Sequence, residues 1–150
     1  MGTSMYSTNS DEFFLEIDKW KKDLTQKQAI RFTKKMALEL LRRIILKSPV
    51  RTGRFRANWM VGIGERNQDI ADNPKYSRSP IRRQALKEAI AALSSYKTLT
   101  TIHLSNNLPY ARALENGHSK KAPQGMVAIS IAEMDIAMGE LSAKGDTDVV

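Results

Sequence analysis

One long helix carries its own start and stop signals, and it constrains this chain more than any other feature. Thr25-Gln26-Lys27-Gln28 reads as a capping box, with threonine at the cap and glutamine three residues on. Ser48-Pro49 closes the stretch, because proline cannot continue a helix and restricts the residue before it. The helix so bounded runs roughly from Gln26 to Lys47, about 30 Å at the usual rise. Its apolar face carries Ala29, Met36, Ala37, Leu40, Leu41 and Ile44, opposite Lys27, Arg31, Lys35, Glu39, Arg42 and Arg43. Leu38 and Ile45 fall inside the cationic face. They lie two turns apart and form a second, narrow apolar stripe. Such a stripe needs cover, either from a preceding helix folded back or from a neighbouring subunit.

Composition narrows the classes. A chain of 150 residues is one domain by prior, spanning 1–150, and folding buries roughly 70% of its unfolded surface. With no cysteine, disulfides and thiolate chemistry are excluded. Residues 1–20 have no apolar run long enough for a signal peptide or a spanning helix, and Tyr6 stands where N-myristoylation needs Ser or Thr. A soluble protein of the cytoplasm is expected. The net charge of +8 is uneven: nine Lys or Arg and one acid lie between Arg31 and Arg56, whereas four bases and six acids follow Thr101. A basic front and an acidic back fit nucleic-acid contact, head-to-tail contact between copies, or a solvated helix face.

The other elements follow from periodicity. Ser10 caps a short amphipathic arm, Asp11 to Leu24, with Phe13, Ile17, Trp20 and Leu24 at helical spacing. Residues 1–10 and 145–150 are expected to be flexible. After the Thr52-Gly53 turn, Phe55, Ala57, Trp59, Val61 and Ile63 alternate as one face of a strand, and Gly62 and Gly64 permit close backbone approach or a bulge. Ser79-Pro80 opens a third helix carrying Ile81, Ala85, Leu86, Ala89, Ile90 and Leu93. Thr98 to Asn106 reads as a second strand, antiparallel to the first. A short helix follows Pro109, with Asn107 as its cap and Gly117 past its end. Val127, Ile131, Met134, Met138 and Leu141 make the stripe of a last helix, and Ile129 and Ile136 occupy its far side. The expected class is α+β: long N-terminal helices packed on a small antiparallel sheet, with a C-terminal helix.

Nothing in the pattern assembles a reaction centre. His103 and His118 are too few and too widely spaced for a zinc site, with only Glu115 between them. His118-Ser119 lacks a nucleophile elbow, and Gly62-x-Gly64 lacks the third glycine and the lysine of a phosphate loop. No catalytic residue, metal or cofactor is expected. Arg51, Arg54 and Arg56 gather on one turn where guanidinium groups reach phosphates, which keeps a non-specific DNA-binding protein as the alternative.

The stretches "SPVRTGRFRANW" and "TIHLSNNLPYARALENGHSKKAPQGMV" resemble the tail-completion, or neck, proteins of long-tailed double-stranded DNA phages, of the lambda minor tail protein Z type. The likeness covers roughly Ala29 to Met138. It is carried by Pro49, Gly53, Asn106 or Asn107, Pro109, Tyr110, Ala111, Glu115, Gly117, Ser119, Ala122, Pro123, Gly125 and Met126. Lys120-Lys121 departs from it, since a glutamine commonly precedes the Ala-Pro pair. The resemblance implies a non-enzymatic virion part: a homo-oligomeric ring, sixfold rather than twelvefold, between capsid connector and tail tube. Other neck, connector or tail proteins and passing phage DNA are the implied partners, with no membrane. On this reading Leu38, Arg42, Ile45, Ile129 and Ile136 are candidate subunit contacts. Arg51, Arg54, Arg56, Lys120 and Lys121 are candidates for lining a DNA channel. The motif residues between Asn107 and Gly125 shape corners, with Tyr110 offering its ring to the core and its hydroxyl to a partner.

Overall fold

The computed structural model describes residues 25–49, 53–71 and 81–143. The expected arm Asp11–Leu24, Arg51, the Ser79-Pro80 cap and both tails lie outside them.

Helix α1 (Gln26–Lys47) begins and ends where its punctuation places it. Thr25 Oγ1 accepts from the Gln28 amide at 3.3 Å, and Gln28 Oε1 accepts from the Thr25 amide at 3.0 Å, so two orphan donors are satisfied reciprocally. At the far end Ser48 does more than stop the helix. Its buried hydroxyl donates to the Ile44 carbonyl at 2.7 Å and accepts from the Trp59 indole at 2.9 Å. That satisfies an N–H that would otherwise be stranded in the core.

The strand expected from Phe55 onward starts later. Arg54–Ala57 is a single helical turn, α2, entered through Gly53 in the left-handed region (φ 81°). Only Trp59–Ile63 forms strand β1. Alternation and helical spacing both place Phe55 and Trp59 on one face. Here the helical turn wins, and the two rings meet edge to face at 5.7 Å. Asn58 sits at the switch, fully buried. It donates to the Arg54 and Ala71 carbonyls at 2.8 and 2.9 Å and accepts from the Ala71 amide at 2.7 Å.

Helix α3 (Ile81–Leu93) packs against α1, α2 and β1. Strand β2 (Ile102–Asn106) pairs antiparallel with β1, Trp59 opposite Asn106 and Ile63 opposite Ile102. Between α3 and β2, Tyr96 is buried, its hydroxyl donating to the Thr100 carbonyl and accepting from the Thr100 amide. Buried Gly62 is required by close approach: a Cβ there would overlap the Glu65 carbonyl. A short helix α4 (Ala111–Glu115) leads to a corner and then to α5 (Val127–Ala143), which packs on α1. The class is the expected α+β.

Two apolar clusters hold these elements. The main one joins Leu41, Ile44 and Ile45 of α1 to Phe55, Trp59, Ala85, Ala89, Leu108 and Met126. A satellite joins Phe32 of α1 to Ile131, Met134 and Met138 of α5. Leu40 and Val127 pack on both.

Candidate interaction surfaces

Chain order brings four groups of predicted site residues into view, and the structure treats them differently. The corner 106–127 is a scaffold. Asn106 donates to the Phe55 carbonyl at 2.9 Å and accepts from the Leu108 amide at 3.2 Å. Asn107 does not cap α4. Its amide donates to the Asn67 and Asp69 carbonyls at 2.8 and 2.9 Å, and its oxygen accepts from Arg66 at 2.6 Å. The loop after β1 claims this side chain, and Tyr110 stands at the α4 cap with no side-chain bond. Gly117 (φ 88°) ends α4 as expected. Its amide reaches the Leu114 carbonyl at 3.1 Å, and His118 reaches Ala113 at 3.2 Å, the double bond of a Schellman ending.

Glu115 closes this corner. Its carboxylate accepts from the amides of Met126 and Val127, both at 2.9 Å, and of Ala128 at 3.1 Å. Helix α5 has no acid in its own first turn. Glu115 supplies the charge that the helix N-terminus favours, from eleven to thirteen residues upstream. Gly125 lets the two backbones touch, since a Cβ there would overlap the Glu115 carbonyl. Sequence reasoning missed this role. The available signal was negative: an apolar helix start with no capping side chain near it.

A shallow cleft of about 350 Å³ beside the corner gathers Arg66, His103, Arg112 and Glu115. Both Glu115 oxygens face backbone donors, and exposed His118 does not line the cleft. Among the described residues no group of His, Asp and Glu is arranged to hold a metal ion.

The arginine turn is partly built into the fold. Arg56 donates to the Ser48 carbonyl at 2.9 Å and the Leu46 carbonyl at 3.1 Å, closing orphan carbonyls at the α1 C-terminus. Arg54 is half-buried, and Arg51 lies outside the described residues. Lys120 and Lys121 are exposed on the corner, where Ser119 Oγ accepts from the Lys121 amide at 3.2 Å. Exposed Pro109 precedes Tyr110, whose ring lies 6.0 Å from Phe55 and is 39% exposed. Exposed Pro123 and half-buried Pro49 flank their turns.

The basic helix and the acidic C-terminal helix meet within one chain. Glu133 accepts from Lys47 at 2.7 Å and Arg43 at 3.0 Å. Glu39 accepts from Arg42 at 2.7 Å and Arg43 at 2.9 Å. Hydrogen bonding from Lys47, with Arg43 beside it, holds the Glu133 carboxyl below the ordinary glutamate range. Arg42 does the same for Glu39, again with help from Arg43. Both carboxylates are about a third exposed, so salt screens them.

The apolar stripes part company. Ile45 is not a surface residue. It is wholly buried in the cluster that includes Ala85 and Ala89 of α3, so neither the N-terminal arm nor a subunit is needed to cover it. Leu38 is half-buried against the same cluster. On α5, Ile131, Met134 and Met138 face inward, Ile129 is half-buried, and Ile136 is 65% exposed.

No helix among the described residues is long and apolar enough to cross a membrane. Searches of curated proteins and of solved structures found no match. Residues 11–117 match the family described as "Bacteriophage HK97-gp10, putative tail-component". That span is more than two thirds of the sequence, and the chain belongs to the HK97-gp10-like family of bacteriophage tail components.

Proposed function

We propose that this tail component acts as a tail-completion, or neck, protein of the lambda minor tail protein Z type. On this reading copies of the chain form a closed ring where the capsid connector meets the tail tube. The part is structural and belongs to the virion. The observation that carries the ring is the outer face of α5. Ile136 stays 65% exposed and Ile129 half-exposed on a helix whose other face is fully packed. Closed rings need one face to meet a different face of the next copy. Exposed Arg42 lies on another helix and supplies a second, polar surface. Lys120 and Lys121 are exposed cations placed to meet DNA; Arg56 is committed to the α1 C-terminus and is a poorer candidate.

The test is electron microscopy of the purified protein, alone and with tails. Ile136→Glu combined with Ile129→Ser is expected to abolish rings while the monomer keeps its circular dichroism. Rings that persist in the double variant would rule out this face. Lys120→Glu with Lys121→Glu should leave rings intact and reduce DNA retention in particles. Unchanged retention would remove the channel role.

A further inference from the structure

An open apolar groove of about 570 Å³ runs along α1 between the α3–β2 connection and α5. Its walls include Met36, Ala37 and Leu40 of α1, Leu99 and Ile102 beyond α3, and Ile131 of α5. The α1 residues are half-buried and Leu99 is 46% exposed, so the groove is apolar surface that still wants a cover.

We propose that the groove is the docking site of this chain's own segment Asp11–Leu24, packed as a helix antiparallel to α1. Five observations converge on this occupant. Phe13, Ile17, Trp20 and Leu24 recur at helical spacing and form one apolar face. Thr25 is extended (φ −64°, ψ 159°) and caps α1, so α1 begins there and a helix before it is a separate element. Length also matches. A helix of this segment is about 21 Å long, and folded back from Thr25 it lies beside α1 as far as Leu40, over Thr33, Met36 and Ala37. Charge matches too. The segment carries five acids and three lysines, and the adjoining half of α1 carries Lys27, Arg31, Lys34 and Lys35 with no acid before Glu39. The family match begins at residue 11 and so takes in this segment as part of the shared unit. The docked arm extends the satellite cluster around Phe32 and Ile131, and it holds whether or not copies form a ring.

The chain has no cysteine, so engineered pairs report without background. Antiparallel packing from Thr25 sets Ile17 beside Thr33 and Phe13 beside Ala37. Two double variants, Ile17→Cys with Thr33→Cys and Phe13→Cys with Ala37→Cys, are oxidised at high dilution and run on a non-reducing gel. A disulfide needs Cα atoms within about 7 Å. The expected result is a faster-migrating monomer for both pairs and none for Phe13→Cys with Ile136→Cys. Hydrogen exchange on the unmodified chain should show the 13–24 amides protected, with protection lost in Ala37→Glu. Interchain dimers alone would mean that a second copy's arm fills the groove and would overturn the assignment. No disulfide in either pair, or exchange of residues 13–24 at the rate of a free peptide, would overturn it as well.

Discussion

Two pairs of residues look alike in the sequence and end differently. Leu38 and Ile45 on α1, and Ile129 and Ile136 on α5, are each seven positions apart on the back of an amphipathic helix. Each pair asks for a partner. Ile45 finds one in its own chain and is wholly buried, whereas Ile136 remains 65% exposed. The difference is neighbourhood. Helix α1 lies between α3 on one side and α5 on another, so both its stripes are answered. Among the described residues the main helix partner of α5 is α1, and its second stripe faces outward. A two-sided apolar helix therefore marks either a central element or an interface.

The comparison breaks most visibly at Ile45. Ile45→Ala should cost about 2–5 kcal/mol in urea unfolding followed by circular dichroism, because a filled core site becomes a cavity. A change below about 0.5 kcal/mol would mean that this stripe is not core. Next comes the residue that sets which way α5 faces. Glu115→Ala removes three bonds to one carboxylate and should cost about 1.5–3 kcal/mol in a thermal melt. Glu115→Gln, which keeps an acceptor but not the charge, should recover part of the loss. Full stability in Glu115→Ala would show that α5 is oriented by packing alone.

A smaller effect tests the ion pairs along α1 and between α1 and α5. Glu39 and Glu133 have folded-state pKa values below the ordinary 4.5. Such groups stabilise the fold above the unfolded value and lose that contribution as pH falls through the folded one. Stability should therefore decline as the pH drops below about 4.5, by no more than about 1 kcal/mol per exposed pair and less in high salt. Glu133→Gln should flatten its share of the decline in a urea series across pH. The smallest effect on the monomer belongs to Ile136→Ala, within about 0.5 kcal/mol by urea unfolding. The same variant should weaken self-association in sedimentation, and a core-sized loss of monomer stability would erase the contrast with Ile45.

Local signals made much of the fold legible. The capping box and Ser48-Pro49 bound α1 because both are short-range backbone chemistry. The β-branched run around Ile102 gave an antiparallel strand for the same kind of reason. Gly117 ends α4 through short-range bonds, its own amide to Leu114 three positions back and that of His118 to Ala113 five back. What stayed hidden was long-range. The strand expected from Phe55 became a helical turn, since Phe55 and Trp59 satisfy both periods and only the Asn58 network with Ala71 decides between them. Asn107 was drawn to the loop at Asn67 and Asp69, some forty residues away, rather than to the nearest helix.

By itself the sequence determined the long helices α1 and α5, the pairing of two short strands, the absence of thiol chemistry, and the glycine that ends α4. Tertiary structure alone decided which carboxylate caps α5, which arginine closes α1, and which isoleucine stays in water. The first set depends on contacts within a turn or two, which the order of residues specifies directly. The second depends on which surfaces meet once loops are closed, and a single amphipathic pattern is compatible with several such meetings.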